Sequence, residues 1–398
     1  MSSDALVIED AVGVDTARPL TVLQLVPGLE SGGVERGTVE VAQAITAAGG
    51  RALVASNGGR LEPLLRRAGG EQIALDVGAK SPFAIARNAK AIAEIIRTHQ
   101  VDVIHARSRA PAWAGWKAAQ ATGTPFVTTY HGTYSEPNWL KKRYNSVMAK
   151  GRPTIAISEF IKGLVQQRYG LSDEDIVVIP RGADIDTFAE EMVSTERTIA
   201  LAQSWGVIED PRPIVLLPGR LTGWKGHRDM IAATAKVVAM GETDFQVVFA
   251  GDDGGSGFGR TLEKEVVEAG LTGQIRMVGH CTDMEAAYKL AAVVVSASTD
   301  PEAFGRVSVE AQAMGRPVIA SAHGGSVETV DHGKTGWLYP PGNTEALAQA
   351  ICDALRLDPS GRAHMGLAGR ARIRSRFTIR MLQDATLRVY EQAAGRSF

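Results

Sequence analysis

The sequence predicts an α/β protein of two domains, each built on a parallel β-sheet whose strands are joined by helices. Three observations favour this fold class. Short apolar runs alternate with amphipathic stretches, as in repeated βαβ units. The cycle restarts near residue 213. The chain has 398 residues, of which 44% are apolar, and this is enough for two cores of ordinary size.

The strands are predicted from apolar runs bounded by turn residues. The first unit contains Thr21–Pro27, Arg51–Ser56, Val101–His105, Pro125–Tyr130 and Thr154–Ser158, with helical patterns such as Ala84–His99 between them. The second contains Pro213–Pro218, Phe245–Ala250, Ile275–Gly279, Val293–Ser296 and Pro317–Ser321. Between the two units, Asp184–Pro213 has no strong strand pattern and ends in Asp-Pro-Arg-Pro, so we place the interdomain connection there.

Four segments follow from these patterns. We predict a flexible tail at 1–18, a first domain at 19–190, a second at 191–375, and a C-terminal helix at 376–398 that crosses back to the first domain. The tail is acidic and has no apolar run, so we do not expect a signal peptide. No apolar run reaches the roughly 20 residues of a spanning helix. The cysteines are only Cys281 and Cys352, which favours a reducing cytoplasm.

The charge is unevenly divided along the chain. Residues 19–172 carry 19 Lys or Arg against 10 Asp or Glu, whereas residues 173–398 carry 23 against 30. A basic first domain suits an anionic partner, such as a phosphorylated acceptor or a lipid headgroup surface. Chance clustering on a solvated face explains the same numbers equally well.

The segment Asp300–Ala313 predicts an anion site beside two carboxylates. A helix is expected to start near Phe304, with Glu302 before it and Glu310 on its second or third turn. Its first turn would expose four unpaired backbone N–H groups, those of Phe304, Gly305, Arg306 and Val307. The helix dipole favours phosphate at this end. Taken alone, the two carboxylates are more simply a dipole complement and a solvent-facing side chain.

Three further loops follow predicted strands, where ligands of open parallel sheets bind. Leu217–His227 presents Arg220 and Lys225, and two cations at one strand end suit a diphosphate, although a solvated loop is the simpler reading of this segment alone. Gly32 and Gly33 follow the first strand without the spacing of a dinucleotide or triphosphate loop. His131 follows the strand at 125–130 and would project into the cleft, or serve a structural role.

These segments resemble glycosyltransferase family 4 in order and spacing after Arg18. The most specific parts are Glu302–Glu310, which is similar to the family's E-x7-E element, and Gly219-Arg220 with Lys225-Gly226. Similar strings occur at Gly251–Asp253, Ser321–Gly325 and Gly333–Pro341. The resemblance implies the GT-B fold, in which two Rossmann-like domains with parallel sheets face an interdomain cleft. It also implies a metal-independent, retaining transfer of a hexose from a nucleotide-diphosphate sugar.

The resemblance also implies roles for individual residues. Arg220 and Lys225 would hold the donor diphosphate, with Gly32 and Gly33 approaching it from the other domain. Glu310 would bind the ribose, and main-chain groups near Met277 and Val278 would meet the base. His131 and Glu302 would be catalytic and contact the transferred sugar, while the backbone of Phe304, Gly305, Arg306 and Val307 would bind the distal phosphate and the sugar. Two residues depart from the family pattern: Arg306 replaces a common apolar residue and Arg181 a common asparagine.

The expected donor is UDP-hexose or GDP-mannose, and the acceptor is a glycan or lipid-linked molecule of lipopolysaccharide, glycolipid or exopolysaccharide synthesis. A sugar-nucleotide 2-epimerase of the same fold is the alternative. We expect no cofactor, no metal at Asp173–Asp175 or Asp184–Asp186, and no nucleic-acid partner. Glu136–Arg152 combines Lys141, Lys142, Arg143 and Lys150 with apolar residues, which suggests a peripheral contact with an anionic inner membrane surface. Packing of its apolar side on its own domain is the other interpretation.

Overall fold

The computed structural model describes residues 18–30 and 32–398, so the tail predicted at 1–18 lies outside the described residues except for Arg18. The first sheet consists of Thr21–Leu25 (β1), Arg51–Ser56 (β2), Glu71–Ala74 (β3), Val103–Ala106 (β4), Phe126–Tyr130 (β5), Thr154–Ala156 (β6) and Ile176–Val178 (β7). All seven strands are parallel, in the order β3-β2-β1-β4-β5-β6-β7.

Helices cover both faces of this sheet, and its central strands are buried on both sides, as β1 is throughout. The helices are Gly33–Ala47 (α1), Glu62–Arg67 (α2), Pro82–His99 (α3), Arg109–Thr122 (α4), Trp139–Asn145 (α5) and Glu159–Tyr169 (α6). Helix α3 begins two residues before the predicted Ala84. The Ser81 side chain accepts from the Ala84 N–H at 3.2 Å, and Pro82 fits the first helical position.

The second sheet follows a connecting segment that contains Thr195–Ser204 (α7). Its strands are Ile214–Pro218 (β8), Gln246–Ala250 (β9), Ile275–Gly279 (β10), Ala291–Ser296 (β11), Val318–Ser321 (β12) and Gly336–Tyr339 (β13). These six strands are parallel, in the order β10-β9-β8-β11-β12-β13. The helices are His227–Ala239 (α8), Phe258–Glu268 (α9), Met284–Leu290 (α10), Arg306–Ala313 (α11), Ser326–Thr329 (α12), Thr344–Arg356 (α13), Pro359–Arg376 (α14) and Ile379–Ala394 (α15).

The two sheets confirm the predicted α/β class with two Rossmann-like units. All ten predicted strands are present, and the structure adds β3, β7 and β13, each at a sheet edge. In each sheet the strand order reverses beside the first strand of the unit, between β1 and β4 and between β8 and β11. A crevice forms at such a switch point, at the carboxyl ends of the strands.

The chain passes between the two sheets twice, and the two crossings are hydrogen-bonded to each other. Ala183 N–H donates to the Phe377 carbonyl at 2.9 Å, and Ile379 N–H donates to the Ala183 carbonyl at 3.0 Å. After the second crossing, α15 packs on α1, and the Tyr390 hydroxyl lies 2.6 Å from His105 Nδ1 on β4. Helix α15 therefore lies against the first sheet's unit. No helix within 18–30 and 32–398 is both long enough and apolar enough to span a membrane.

Candidate functional site

A cavity of about 390 Å³ lies where the carboxyl ends of the two sheets meet. Residues of both units line it: Gly33, Val34, His131, Ile157, Arg181, Arg220, Lys225, Ser296, Glu302, Ala303, Phe304, Gly305, Arg306 and Val307. The structure therefore brings together nine of the twelve residues that sequence reasoning singled out. Gly32, Val278 and Glu310 are not in the lining.

Helix α11 presents its amino end to this cavity and begins at Arg306, two residues after the predicted start near Phe304. Gly305 adopts φ 93° and ψ 57°, a left-handed conformation that separates the preceding turn from the helix. Phe304 is 3% exposed and its ring packs on Phe377, so its backbone alone is available to a ligand. The N–H groups of Gly305, Arg306 and Val307 have no acceptor in the described part of the chain, as an anion site requires.

Lys225 and Glu302 form an ion pair across the cavity wall. Lys225 Nζ lies 2.5 Å from Glu302 Oε1, and the Ser298 hydroxyl donates to the same oxygen at 2.6 Å. Ser298 was missed by sequence reasoning, because a single serine after a strand carries no specific signal. Arg220, on the same loop as Lys225, is exposed. A phosphate bound here would share Lys225 with Glu302 and meet Arg220 from the solvent side.

Glu310 lies behind the cavity lining and is already hydrogen-bonded through both oxygens. Arg306 Nη2 donates to Oε1 at 2.9 Å and the buried Tyr288 hydroxyl donates to Oε2 at 3.0 Å. Burial, followed by the charge of Glu310, raises the pKa of Tyr288 well above its usual value, so it stays a donor. A carboxylate retains lone pairs beyond two hydrogen bonds, so Glu310 can accept from further hydroxyls. No sequence signal pointed to Tyr288.

The other two predicted residues flank the cavity. Gly32 is the N-cap of α1, directly before the cavity-lining Gly33. Val278 lies at a register shift of β10, between Met277 and Gly279. Because β10 is an edge strand of the second sheet, one side of its backbone has no strand partner in the described part of the chain. Main-chain groups near Val278 are therefore open to a ligand.

His131 and Arg181 meet on the first-domain wall. Arg181 Nη2 lies 3.0 Å from His131 Nδ1. Because a guanidinium can only donate, Nδ1 is the acceptor and the imidazole proton resides on Nε2. Burial and then the charges of Arg181 and Arg107 hold the pKa of His131 well below its usual value. His131 is therefore a neutral donor through Nε2, which is buried without a partner among residues 18–30 and 32–398.

Contacts beside the cavity join the two units. The Ser158 hydroxyl donates to the Ala303 carbonyl at 2.6 Å. The Glu328 carboxylate accepts from the N–H groups of Glu159 and Phe160, both at 2.9 Å, and so caps α6 from the other unit. These bonds hold the cavity walls together.

The two acidic segments considered for a metal contact groups close to them in the fold. Asp184 accepts from the Asp186 N–H at 3.1 Å and from the Thr187 hydroxyl at 2.7 Å. Asp173 pairs with Lys162 at 2.6 Å. Within the described residues, no group of three or more His, Cys, Asp or Glu is placed to hold a metal ion.

Comparison with known proteins agrees with this architecture. Residues 203–372 match the family described as "Glycosyl transferases group 1", and residues 31–187 match "Glycosyltransferase Family 4". The D-inositol 3-phosphate glycosyltransferase of Xylanimonas cellulosilytica is 30% identical over 310 residues, 74% of this chain and 73% of that protein. A glycosyltransferase from Rickettsia africae superposes with TM-score 0.88 and 36% identity over 96% of this chain and 100% of that one. Anabaena HepE, solved in complex with UDP-glucose, gives TM-score 0.79 and 25% identity over 94% and 100%.

The fold and the cleft thus define a GT-B glycosyltransferase: two parallel-sheet units, a cavity between their carboxyl edges, and an open helix amino end beside fixed cations. The family matches cover both units and narrow this class to one family. The chain belongs to glycosyltransferase family 4.

Proposed function

We propose that this enzyme transfers a hexose, with retained anomeric configuration, from a UDP-linked or GDP-linked donor to a hydroxyl of a glycan or lipid-linked acceptor. The observation that carries the proposal is the interdomain cavity, where Arg220 and Lys225 face the open N–H groups of α11. A helix amino end and two cations suit a diphosphate. The HepE complex with UDP-glucose supports a UDP-hexose donor, and GDP-mannose is the alternative.

In this proposal the diphosphate lies between the Arg220–Lys225 loop and the amino end of α11. The ribose hydroxyls donate to Glu310, and the base meets the open backbone of β10. The transferred sugar accepts from His131 Nε2 and donates to Glu302. Arg220, Lys225 and Glu302 line the cavity, whereas Glu310 and the Nε2 atom of His131 would have to be uncovered when the sugar nucleotide binds.

Retention is proposed to proceed by substitution on one face of the sugar through an oxocarbenium-like state. The bond from the anomeric carbon to the phosphate oxygen breaks as the bond to the acceptor oxygen forms, and the acceptor proton passes to the leaving phosphate. The protein's main contribution is stabilisation of the charge that develops on the diphosphate. We propose that these fixed cations and N–H groups serve without a divalent metal. Full activity in excess chelator is expected, and loss of turnover would contradict metal independence.

A thermal-shift panel of nucleoside diphosphates tests the donor site, because a ligand that binds only the folded state raises the melting temperature. UDP or GDP should raise it, and a flat response to both would overturn the proposal. Product analysis then separates transfer from the 2-epimerase alternative, which none of the three compared proteins supports. NMR of the product's anomeric proton tests retention.

The acceptor side is proposed to contact an anionic membrane surface, as suits lipopolysaccharide, glycolipid or exopolysaccharide synthesis. In α5, Trp139 is 71% and Leu140 60% exposed, and both precede the exposed Lys141 and Lys142. Later apolar residues of the same segment, such as Met148, are fully buried. The interpretation that the segment packs on its own domain therefore holds only for its second half. Exposed aromatic and basic side chains together favour an interfacial contact.

A further inference from the structure

Two arginines are buried on the first-domain side of the cavity, and neither has an ion pair with another described residue. Arg107 is 3% and Arg181 9% exposed. Arg107 Nε donates to Gln24 Oε1 at 2.7 Å, while its buried Nη2 has no partner in the described part of the chain. Arg181 makes one side-chain hydrogen bond there, to neutral His131. Both are attracted by Glu40, but neither forms a salt bridge with it.

Burying two guanidinium groups without an ion pair lowers the stability of the fold when no anion is bound. Buried charges in proteins are ordinarily paired or otherwise compensated, because losing water costs several kcal/mol per ion. Burial and then repulsion from Arg107 lower the pKa of Arg181 to about 10. An anion placed against Arg181 would relieve both effects.

Helix α1 is shaped to admit the guanidinium groups. Gly33 and Gly37 lie one turn apart on it. A Cβ added at Gly37 would lie 2.1 Å from Arg181 Nη1, and one added at Gly33 would lie 3.3 Å from Arg306 Nη1. The two arginines that depart from the family pattern therefore approach the same helix, one from each domain, and both line the cavity.

We infer that the wall formed by Arg181 and Arg306 receives an oxyanion, a phosphate or a carboxylate, that a substrate carries in addition to the donor diphosphate. This inference rests on the proposed function. The diphosphate already has Arg220, Lys225 and the amino end of α11 on the second domain. Arg181 lies on the first domain, beside His131, which is proposed to donate a hydrogen bond to the transferred sugar. The oxyanion belongs either to the acceptor, as a phosphate, or to the transferred sugar, as a carboxylate.

The test compares the wild type with Arg181→Asn, Arg181→Lys and the control Arg60→Asn, an exposed first-domain arginine. Calorimetry first measures UDP and GDP, and the diphosphate that binds is then kept saturating. Inorganic phosphate is titrated as a general probe, with glucose 6-phosphate against glucose as the acceptor arm. The donor arm compares UDP-glucuronate with UDP-glucose, or GDP-mannuronate with GDP-mannose, and is measured without added diphosphate because the sugar nucleotides compete for the same site.

We expect phosphate to bind the diphosphate-saturated protein, and the anionic ligand of one arm to bind at least about tenfold more tightly than its neutral counterpart. Arg181→Asn should abolish this preference, Arg181→Lys should retain part of it and Arg60→Asn all of it. Affinity for the diphosphate alone should change less than about threefold in each variant. The arm that shows the preference identifies the source of the oxyanion.

Equal affinities for charged and neutral ligands in both arms would overturn the inference, as would an undiminished preference in Arg181→Asn. Equal weakening of the diphosphate itself would assign Arg181 to the donor site and also overturn it. If Arg181→Asn does not fold, the inference is tested by the preference of the wild type for the anionic ligand and by the partial loss of that preference in Arg181→Lys. Failure of both UDP and GDP to bind the wild type would instead refute the proposed function, a result distinct from loss of the oxyanion preference alone.

Discussion

Arg220 and Lys225 share a loop but differ in their surroundings, since Lys225 is paired with Glu302 and Arg220 is exposed. Removing one charge-assisted donor from a leaving group costs on the order of 3 kcal/mol of barrier. We expect Arg220→Ala and Lys225→Ala each to lose roughly a hundredfold in kcat, measured as nucleoside diphosphate release with the acceptor present. Lys264→Ala, an exposed lysine of the second domain, is the control.

The ion pair adds a second expectation for the same site. Lys225→Ala leaves the Glu302 carboxylate unpaired beside the proposed diphosphate, where it repels the leaving group. The double variant Lys225→Ala/Glu302→Gln should therefore bind the nucleoside diphosphate more tightly than Lys225→Ala does. Near-normal turnover by both single variants would contradict the donor-site assignment.

His131 owes its neutral state to burial and to Arg181. Removing a nearby cation favours the protonated imidazole, so Arg181→Asn should raise the pKa of His131 from its depressed value towards its ordinary one. In ¹⁵N NMR of the imidazole, the wild type should show the Nε2–H tautomer at pH 7 and resist protonation. The variant should protonate at a higher pH and lose kcat/KM sooner on acidification. Identical titrations of the two proteins would show that Arg181 does not control this group.

At the scale of elements, α11 depends on a left-handed residue at its amino end. An alanine at Gly305 has room, since the nearest atom to an added Cβ is Thr329 Oγ1 at 3.6 Å, so its penalty is conformational. We expect Gly305→Ala to lower the free energy of unfolding by about 1–2 kcal/mol and to weaken nucleoside diphosphate binding, because the first-turn N–H groups are displaced. Urea unfolding and calorimetry measure the two effects.

Gly163 provides the matched control, because it lies inside α6 and an added Cβ there meets nothing within 4 Å. Gly163→Ala should raise the free energy of unfolding by about 0.5–1 kcal/mol through helix propensity. Unchanged diphosphate affinity in Gly305→Ala would show that the left-handed turn at Gly305 is not needed for the proposed anion site.

Helix α5 carries the proposed membrane contact on two side chains. Trp139→Ala/Leu140→Ala should reduce flotation with anionic liposomes while leaving the melting temperature unchanged, because both side chains are exposed. Binding by the wild type should weaken as salt rises. Val267→Ala, an exposed apolar residue on α9 in the second domain, is the control. Absence of salt-sensitive flotation by the wild type would remove this part of the proposal.

At the scale of the whole molecule, three histidines whose pKa values are lowered in the fold make stability depend on pH. Burial holds the pKa of His105 and His131 well below the usual value, and burial followed by Lys225 lowers the pKa of His227 to about 4. Below pH of about 6.5 the unfolded chain binds protons that the folded chain does not. Stability should therefore fall on acidification from about pH 6.5 to 4, by at most about 1.4 kcal/mol per pH unit for each histidine.

Urea unfolding at pH 7, 6 and 5 measures this slope. His227→Gln should make the slope shallower at some cost in stability at pH 7. A stability curve that is flat between pH 6.5 and 5 would show that these histidines protonate in the folded state.

Local signals in the sequence determined the fold class and the positions of the segments Leu217–His227 and Asp300–Ala313, which carry the most specific motifs. Central strands such as β1 and β8 are buried on both faces and read as continuous apolar runs, while β3 and β7 are short edge strands whose order depends on pairing with a neighbour. Helix α11 begins two residues after the predicted position, because the left-handed conformation of Gly305 interrupts the helical pattern there.

Only the tertiary structure decided which side chains of the site contact each other. Arg181 meets His131 across 50 residues of chain, and Lys225 meets Glu302 across 77. Sequence spacing indicates which residues follow strands, because strand and turn propensities act over a few residues. It does not indicate which side chains far apart in the chain come to face each other, because that depends on how the strands pair and the loops pack. Arg181 and Arg306 were therefore visible as departures in the sequence, but their approach to the same helix became apparent only in the fold.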